Sequence, residues 1–378
     1  MNTVRLARSI VGENEAEAVA RVLTADGYLG MGSEVQRLET ELAEFFGLPA
    51  NNVACVNSGT TALTLAAQAA LDPGDEVLVQ SLTFVATFQA LLAAGVVPVS
   101  CEVIPDTVTI DLEDAARRLN PRTRAVMPVH YASNPGDLDA IYRFAAQHGL
   151  RVIEDAAHAF GCTHAGRKIG SFGDVQCFSF DGIKNITSGE GGAVISRDLA
   201  LMERVKDARL LGIEKDTERR FAGERSWEFD VKRSGHRAHM SNVLAAIGRV
   251  QLKRFVSEFA PQRVALATRY RQRLGSVPGL ALLQTELGPV VPHIQPLRVM
   301  DGRRDALRTH LLGKGIESGI HYKPNHLLTL FGGGRTSLPI TEKLYGELVS
   351  LPLHPGLQIA DVDRVCDAVL KFLPQSHS

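Results

Sequence analysis

Val53-Ala-Cys-Val-Asn-Ser-Gly-Thr-Thr61 decides the fold class of this chain. Val53 to Val56 is a short uninterrupted apolar run, as expected of a strand buried on both faces. It passes through Asn57-Ser58-Gly59-Thr60 into an apolar helix predicted over 61–71. The same unit then recurs. A strand at 76–80 follows the turn Asp72-Pro-Gly-Asp75, with a helix near 83–94, a strand at 96–101 and a helix at 112–119. A strand at 124–130, the turn Asn134-Pro-Gly136, a helix at 137–148 and a strand at 151–155 come next, before strands near 175–180 and 193–196 and a helix at 198–211. Upstream, Val35, Leu38, Leu42, Phe45 and Phe46 keep helical spacing within 33–46. Buried strands alternating with helices predict a mostly parallel sheet covered on both faces. Ligands of such sheets bind beyond the carboxyl ends of the strands, where Asn57, His130, Asp155 and Ser179 fall.

The remainder suggests a second, smaller lobe. Segment 213–235 is polar and charged and is expected to be a long surface loop, although it contains Trp227 and Phe229. A helix near 241–256 leads into 257–378, which mixes helical and strand patterns with punctuation at Pro324, Gly332-Gly-Gly334 and Pro352 to Pro355. A length of 378 residues suits two domains, or one large domain with a lobe. The boundary is placed between a large unit at 1–254, which includes the N-terminal helix, and a small unit at 255–378. The 41 basic and 42 acidic residues leave a net charge of −1, which argues against a dedicated nucleic-acid binder. Cys55, Cys101, Cys162, Cys177 and Cys366 are scattered, odd in number and form no C-x-x-C pair, so no disulfide framework is expected. Glu13, Glu15 and Glu17 stand where a signal peptide would be apolar, and no stretch of about 18 apolar residues occurs. A reducing cytoplasm is the expected setting.

Several familiar motifs are missing. Gly30-Met-Gly32 lacks the third glycine of a dinucleotide fingerprint, Val35 standing there, and there is no phosphate-binding G-x-x-x-x-G-K-[ST] loop. His158, Cys162 and His164 lack recognised zinc spacing, so no metal is expected. The chemistry concentrates instead in Phe178-Ser-Phe-Asp-Gly-Ile-Lys-Asn-Ile-Thr-Ser-Gly-Glu-Gly-Gly192. Lys184 lies just past a strand, bracketed by Phe180, Ile183 and Ile186. A lysine is usually a solvated surface charge. Partial desolvation lowers its pKa and frees the amine to attack a carbonyl. Asp155 ends an apolar strand, where a carboxylate needs a partner. It reads equally as a cap for Ala156-Ala-His158 and as the partner of a protonated pyridine nitrogen, the arrangement that makes pyridoxal phosphate an electron sink. Ser58-Gly59-Thr60-Thr61 at a helix N-terminus can cradle a phosphate, or simply cap the helix. Ser179 can add a hydroxyl, and Phe84 either stacks on the ring or belongs to the core.

At these residues the chain resembles the DegT/DnrJ/StrS family of pyridoxal phosphate-dependent sugar aminotransferases. The resemblance rests on Ser58-Gly-Thr-Thr-Ala-Leu63, Leu82-Thr-Phe-Val-Ala-Thr87, Pro128-Val-His130, Glu154-Asp-Ala-Ala-His158 and Phe178-Ser-Phe-x3-Lys184-x5-Glu190-Gly-Gly192. It continues through Met240-Ser-x3-Ala-Ala-Ile-Gly248, Gln251-Leu252, Lys314-Gly-Ile-x4-His321-Tyr322 and Leu351-Pro-Leu-His-Pro355. It implies an α/β, aspartate aminotransferase-like fold with a large mixed seven-stranded sheet and a smaller C-terminal α/β domain. It also implies a homodimer with shared active sites. Lys184 would carry pyridoxal 5'-phosphate as a Schiff base and move the proton. Asp155 would pair with the pyridine nitrogen, His158 would lie on the ring's hydroxyl side, Phe84 would stack, and Ser58, Gly59, Thr60, Thr61 and Ser179 would hold the phosphate. His321, Tyr322 and His326 would line the sugar side, or form a polar loop of the small lobe.

One departure stands out. Where many family members place an Asn that reaches the partner subunit's phosphate, this chain has Arg237 in Gly235-His-Arg-Ala-His-Met240. Arginine still suits a phosphate, with a stronger charge. The implied reaction moves an amino group from L-glutamate to a nucleotide-linked keto sugar. A cyclitol or other keto substrate, a non-catalytic pyridoxal phosphate-binding regulator, and a plain binding module are the rival readings. A dehydratase of the family would carry histidine in place of Lys184.

Overall fold

The computed structural model describes residues 3–224 and 227–373. Among these residues twelve strands are formed: β1 (Val53–Val56), β2 (Glu76–Gln80), β3 (Val97–Cys101), β4 (Thr123–Met127), β5 (Arg151–Asp155), β6 (Thr163–His164), β7 (Arg167–Lys168), β8 (Val175–Ser179), β9 (Gly192–Ser196), β10 (Leu280–Leu282), β11 (Gln295–Val299) and β12 (Leu348–Leu351). Seven of them make one sheet in the order β1-β9-β8-β5-β4-β2-β3. The pairs β8–β5, β5–β4, β4–β2 and β2–β3 are parallel, whereas β9 runs antiparallel to both β8 and β1. The sheet is therefore mixed, with β9 as its reversed strand.

Strand residues alternate between two cores, as a period of two requires. Val53, Cys55, Leu78, Val126 and Ile195 face one cluster, with the helices Ser33–Phe46, Leu138–His148 and Asn242–Arg254. Ala54, Val56, Val77, Val79, Met127 and Val194 face the other, with the helices Gly59–Ala70, Val85–Ala93 and Leu199–Ala208. Side-chain caps start several of these helices: Ser58, Asp137, Asp198 and Ser241 each accept a backbone N–H from the first turn.

The C-terminal part carries the antiparallel sheet β10-β11-β12 with its own core, to which Leu266, Tyr270 and Leu274 contribute. The helix expected near 241–256 is the start of a continuous helical stretch through Leu274. Val4 bridges to Ile316, and Leu6 bonds Glu317 and Leu353, so the first described residues lie along the C-terminal part. Helix Glu13–Arg21 instead packs on Asn242–Arg254, with Glu15 accepting from Gln251 and Arg254. Segment 213–235 is not wholly irregular: a short helix, Asp216–Phe221, sits within it, held in part by the Asp216–Arg220 pair. Trp227 is 85% exposed.

Edge strand β1 shows how the open side of the sheet is satisfied. The Cys55 N–H donates to Glu39 and the Cys55 carbonyl accepts from Arg209 at 2.7 Å. Glu39 and Arg209, both buried, also pair with each other. The pair thus closes hydrogen bonds that an exposed edge would leave to water or another chain. Removing one partner strands a buried charge, which is worth about 3–5 kcal/mol. Glu39→Ala should lower unfolding stability by roughly that amount in urea denaturation, and the double variant Glu39→Ala/Arg209→Met should lose less than the two single losses combined.

Candidate active site

The reversed strand β9 brings the site together. Gly192, its first residue, is paired with Val56 at the end of β1 and with Ser179 at the end of β8. The turn after β1 and the end of β8 therefore meet over one residue. A Cβ on Gly192 would stand 2.7 Å from the carbonyl oxygens of both Phe178 and Ser58, so only glycine fits. A Cβ on Gly59 would stand 2.6 Å from the Cβ of Ser179. Ser58 Oγ accepts the Thr61 N–H at 3.1 Å. The N–H groups of Gly59 and Thr60 keep no acceptor among the described residues, and they open the helix Gly59–Ala70. Backbone donors, hydroxyls and the helix dipole converge there, the donor set a phosphate monoester needs.

The loop after β8 folds back on itself. Phe180 N–H donates to Gly191 O, Ser188 N–H to Phe180 O, and Lys184 N–H to Asp181 O. Asn185 donates to the carbonyls of Phe160 and Val291. This fixes Lys184 at the wall of a cavity of about 410 Å³. Burial is the main cause that pushes the Lys184 amine down to about 8, against the opposing pull of Asp155 and Asp181.

Asp155, 5% exposed, ends β5 in the same cavity. Its carboxylate accepts Thr87 Oγ1–H at 2.7 Å and the Ala157 N–H at 3.2 Å. Burial raises its pKa, and these two donors pull it back. No helix follows Asp155, so the helix-cap reading falls away and only a local turn bond remains. His158 lines the cavity with Nε2 at 3.1 Å from Tyr322 Oη, its ring 4.4 Å from that of His293. Burial, then the Lys184 charge, holds His158 well below the ordinary histidine range, so its ring is neutral. Phe84 is 53% exposed and opens into the cavity beside Tyr322, with ring centroids 5.3 Å apart, so it is not a core residue.

Ser58, Gly59, Thr60, Ser179, His321 and Tyr322 complete the expected residues around the cavity. His321 is anchored by Ser350 Oγ at 2.7 Å. Five residues named from the sequence do not line this cavity. Thr61 lies behind the turn, its hydroxyl 2.9 Å from Ser58 Oγ, and stabilises the cradle without lining it. His326 is 0% exposed and sealed away, bonded to Ser81 Oγ at 2.7 Å and Glu342 at 3.2 Å. Arg237 is exposed and lies outside the cavity of its own chain. His130, expected at a strand's open end, is fully buried with Nε2 3.0 Å from Glu154, and Asn57 lies outside the cavity. Tyr131, the residue after His130, lines the cavity instead. Thr83, Thr87, Asp181 and Glu190 also line it and were not singled out from the sequence. Thr87 carried a usable signal: it stands three residues after Phe84, one helical turn on.

A lysine with a lowered pKa, a buried carboxylate, an aromatic face and a phosphate cradle around one cavity define a pyridoxal phosphate enzyme of the large mixed-sheet class. The family model described as "DegT/DnrJ/EryC1/StrS aminotransferase family" matches residues 9–370, and the chain belongs to that family. Its aminotransferases depend on pyridoxal phosphate. A dTDP-4-dehydro-2,3,6-trideoxy-D-glucose 4-aminotransferase from Saccharopolyspora spinosa is 34% identical, the match covering 97% of this chain and 96% of that protein. The aminotransferase TlmJ from Streptoalloteichus hindustanus superposes with a TM-score of 0.89 at 34% identity, over 98% of this chain and 99% of TlmJ. The sugar aminotransferase CalS13 from Micromonospora echinospora has a TM-score of 0.88 at 29% identity, over 97% of this chain and 99% of that one. Among the described residues no helix is long and apolar enough to cross a membrane.

The lowered pKa of Lys184 has a direct kinetic consequence. Only the neutral amine captures an aldehyde, and its fraction grows about tenfold per pH unit below the pKa. The rate at which cofactor-free protein takes up pyridoxal phosphate, followed by stopped-flow absorbance, should therefore climb with pH and level off above about 8.

Proposed function

We propose that this chain transfers an amino group from L-glutamate to a nucleotide-linked keto sugar. The observation that carries the reading is the convergence of Lys184, Asp155, Phe84 and the Ser58–Thr60 turn on one cavity. Pyridoxal phosphate, when bound, supplies the aldehyde that accepts the amino group and the ring that withdraws electrons from the bond being broken. Ser58, Ser179 and the N–H groups of Gly59 and Thr60 would hold the phosphate. Asp155 would pair with the pyridine nitrogen, Phe84 would stack on the ring, and neutral His158 would lie on its hydroxyl side. Lys184 Nζ would hold the cofactor and, once freed by the incoming donor amine, would take the proton from the donor carbon and pass it to the cofactor's former aldehyde carbon. The second half of the reaction runs these steps backwards on the keto sugar. The sugar assignment leans on the relatives named above. His321 and Tyr322 line the same cavity and would meet the sugar.

Both substrates bring negative charge, carboxylates on the donor and a diphosphate on the acceptor. Among the described residues the cavity wall carries Asp181 and Glu190 beside Lys184, and no arginine. A further cation for these charges would lie beyond the described cavity wall. A homodimer in which Arg237 of the partner subunit reaches the site meets that need, and Arg237 is exposed on the surface. We also place the boundary between the units 1–254 and 255–378 within the continuous helical stretch Asn242–Leu274. A cytoplasmic setting fits the five cysteines, all free and buried.

Purified protein should form pyridoxamine phosphate and 2-oxoglutarate with L-glutamate, and then aminate a member of a panel of nucleotide-linked 3-keto and 4-keto sugars. Lys184→Ala should retain some cofactor, lose its visible band and lose turnover. Full turnover by Lys184→Ala would sink the reading, and turnover only on a cyclitol ketone would replace the sugar. For the shared site, Lys184→Ala and Arg237→Ala proteins, each impaired alone, should regain activity when mixed and allowed to exchange subunits. Additive loss on mixing would count against Arg237 acting across the dimer.

A further inference from the structure

One turn of helix Val85–Ala93 carries two contacts to the cofactor site. Phe84, its N-cap, gives the aromatic face, and Thr87, one turn on, gives a hydroxyl to Asp155. Thr87 is 1% exposed and Thr83 2% exposed, so neither hydroxyl exchanges its bonds freely with water. Thr87 Oγ1 lies 2.7 Å from Asp155 Oδ2 and 3.1 Å from Thr83 Oγ1. Since the Thr87 proton goes to the carboxylate, its oxygen must accept from Thr83. The three residues form a directed chain, Thr83 to Thr87 to Asp155, whose bonds reinforce each other. The turn is itself pinned from the C-terminal part, because buried Asn325 donates to the carbonyls of Ser81 and Thr83.

We propose that Thr87, backed by Thr83, is a positioning residue that aims the Asp155 carboxylate at the pyridine nitrogen and keeps it ionised there. The inference rests on the cofactor role given to Asp155 above. A buried carboxylate with a fixed donor on one oxygen is held in one rotamer. It also has less appetite for the ring-nitrogen proton, so the ring keeps its positive charge. Other titratable groups facing Asp155 are Lys184, His130, Tyr322 and Cys177. None of them is hydrogen-bonded to its carboxylate, whereas Thr87 is.

The test uses full-length protein stripped of cofactor and titrated with pyridoxal phosphate. Thr87→Val should weaken the dissociation constant about tenfold, the scale of one hydrogen bond to a charged group. It should also raise the pH midpoint of the visible band by about one unit, because a less positive ring lets Lys184 Nζ keep its proton longer. Thr87→Ser should restore both values, and Thr83→Ala should move them a shorter way in the same direction. A role in packing alone would change the melting temperature of the stripped protein and leave the midpoint where it was. If Thr87→Val does not fold, Thr87→Cys, close in size with a weaker donor, should show the same shifts reduced. Unchanged midpoint and affinity in folded Thr87 variants, beside a wild type that binds normally, overturn this inference alone. A wild type that takes up no pyridoxal phosphate overturns it together with the proposed function.

Discussion

The structure turns on the crossing at Gly192. Running β9 against its neighbours lets the end of β1 and the end of β8 share one pairing partner. That contact is possible only because Gly192 and Gly59 lack side chains, since a Cβ on either would collide with Ser58, Phe178 or Ser179. The close approach places the N-terminus of helix Gly59–Ala70 beside the loop that carries Lys184. Cradle and amine thus come from segments more than a hundred residues apart, yet their spacing is set by backbone pairing, which is stiffer than any side-chain contact.

Electrostatics shape the cavity around that scaffold. Asp155 and Lys184 are both desolvated, and each shifts toward its neutral form for that reason. Asp155 is held by a hydroxyl and a backbone donor, so its burial is tolerated. The lining carboxylates leave the site short of cations for anionic substrates. The C-terminal part reaches the site in two ways: Asn325 and His326 bind the Ser81–Thr83 turn, while His321 and Tyr322 line the cavity.

Much of this was legible in the sequence. The strands β1, β2, β5, β8 and β9 fall within a residue or two of their predicted places, because short β-branched runs between turn residues have few alternatives. Lys184, Asp155, Phe84 and the Ser58–Thr60 turn were visible because each sits at the end of such a run. His326 misled because a histidine among polar loop residues looks solvent-facing. Its burial follows from Ser81, which is 245 positions away. His130 misled in a similar way, since the sequence gives no sign of the Glu154 side chain waiting beneath it.

The sequence by itself therefore determined the layered α/β class, the main strands of the large sheet and the candidate residues at their ends, because these depend on local pattern and residue type. Only the tertiary structure decided which of those residues meet. The reversal of β9, the closing of edge strand β1 by Glu39 and Arg209, and the hydroxyl chain from Thr83 through Thr87 to Asp155 are contacts between distant segments. Their partners are chosen by packing and by the need to satisfy buried polar groups, and neither is written in local sequence.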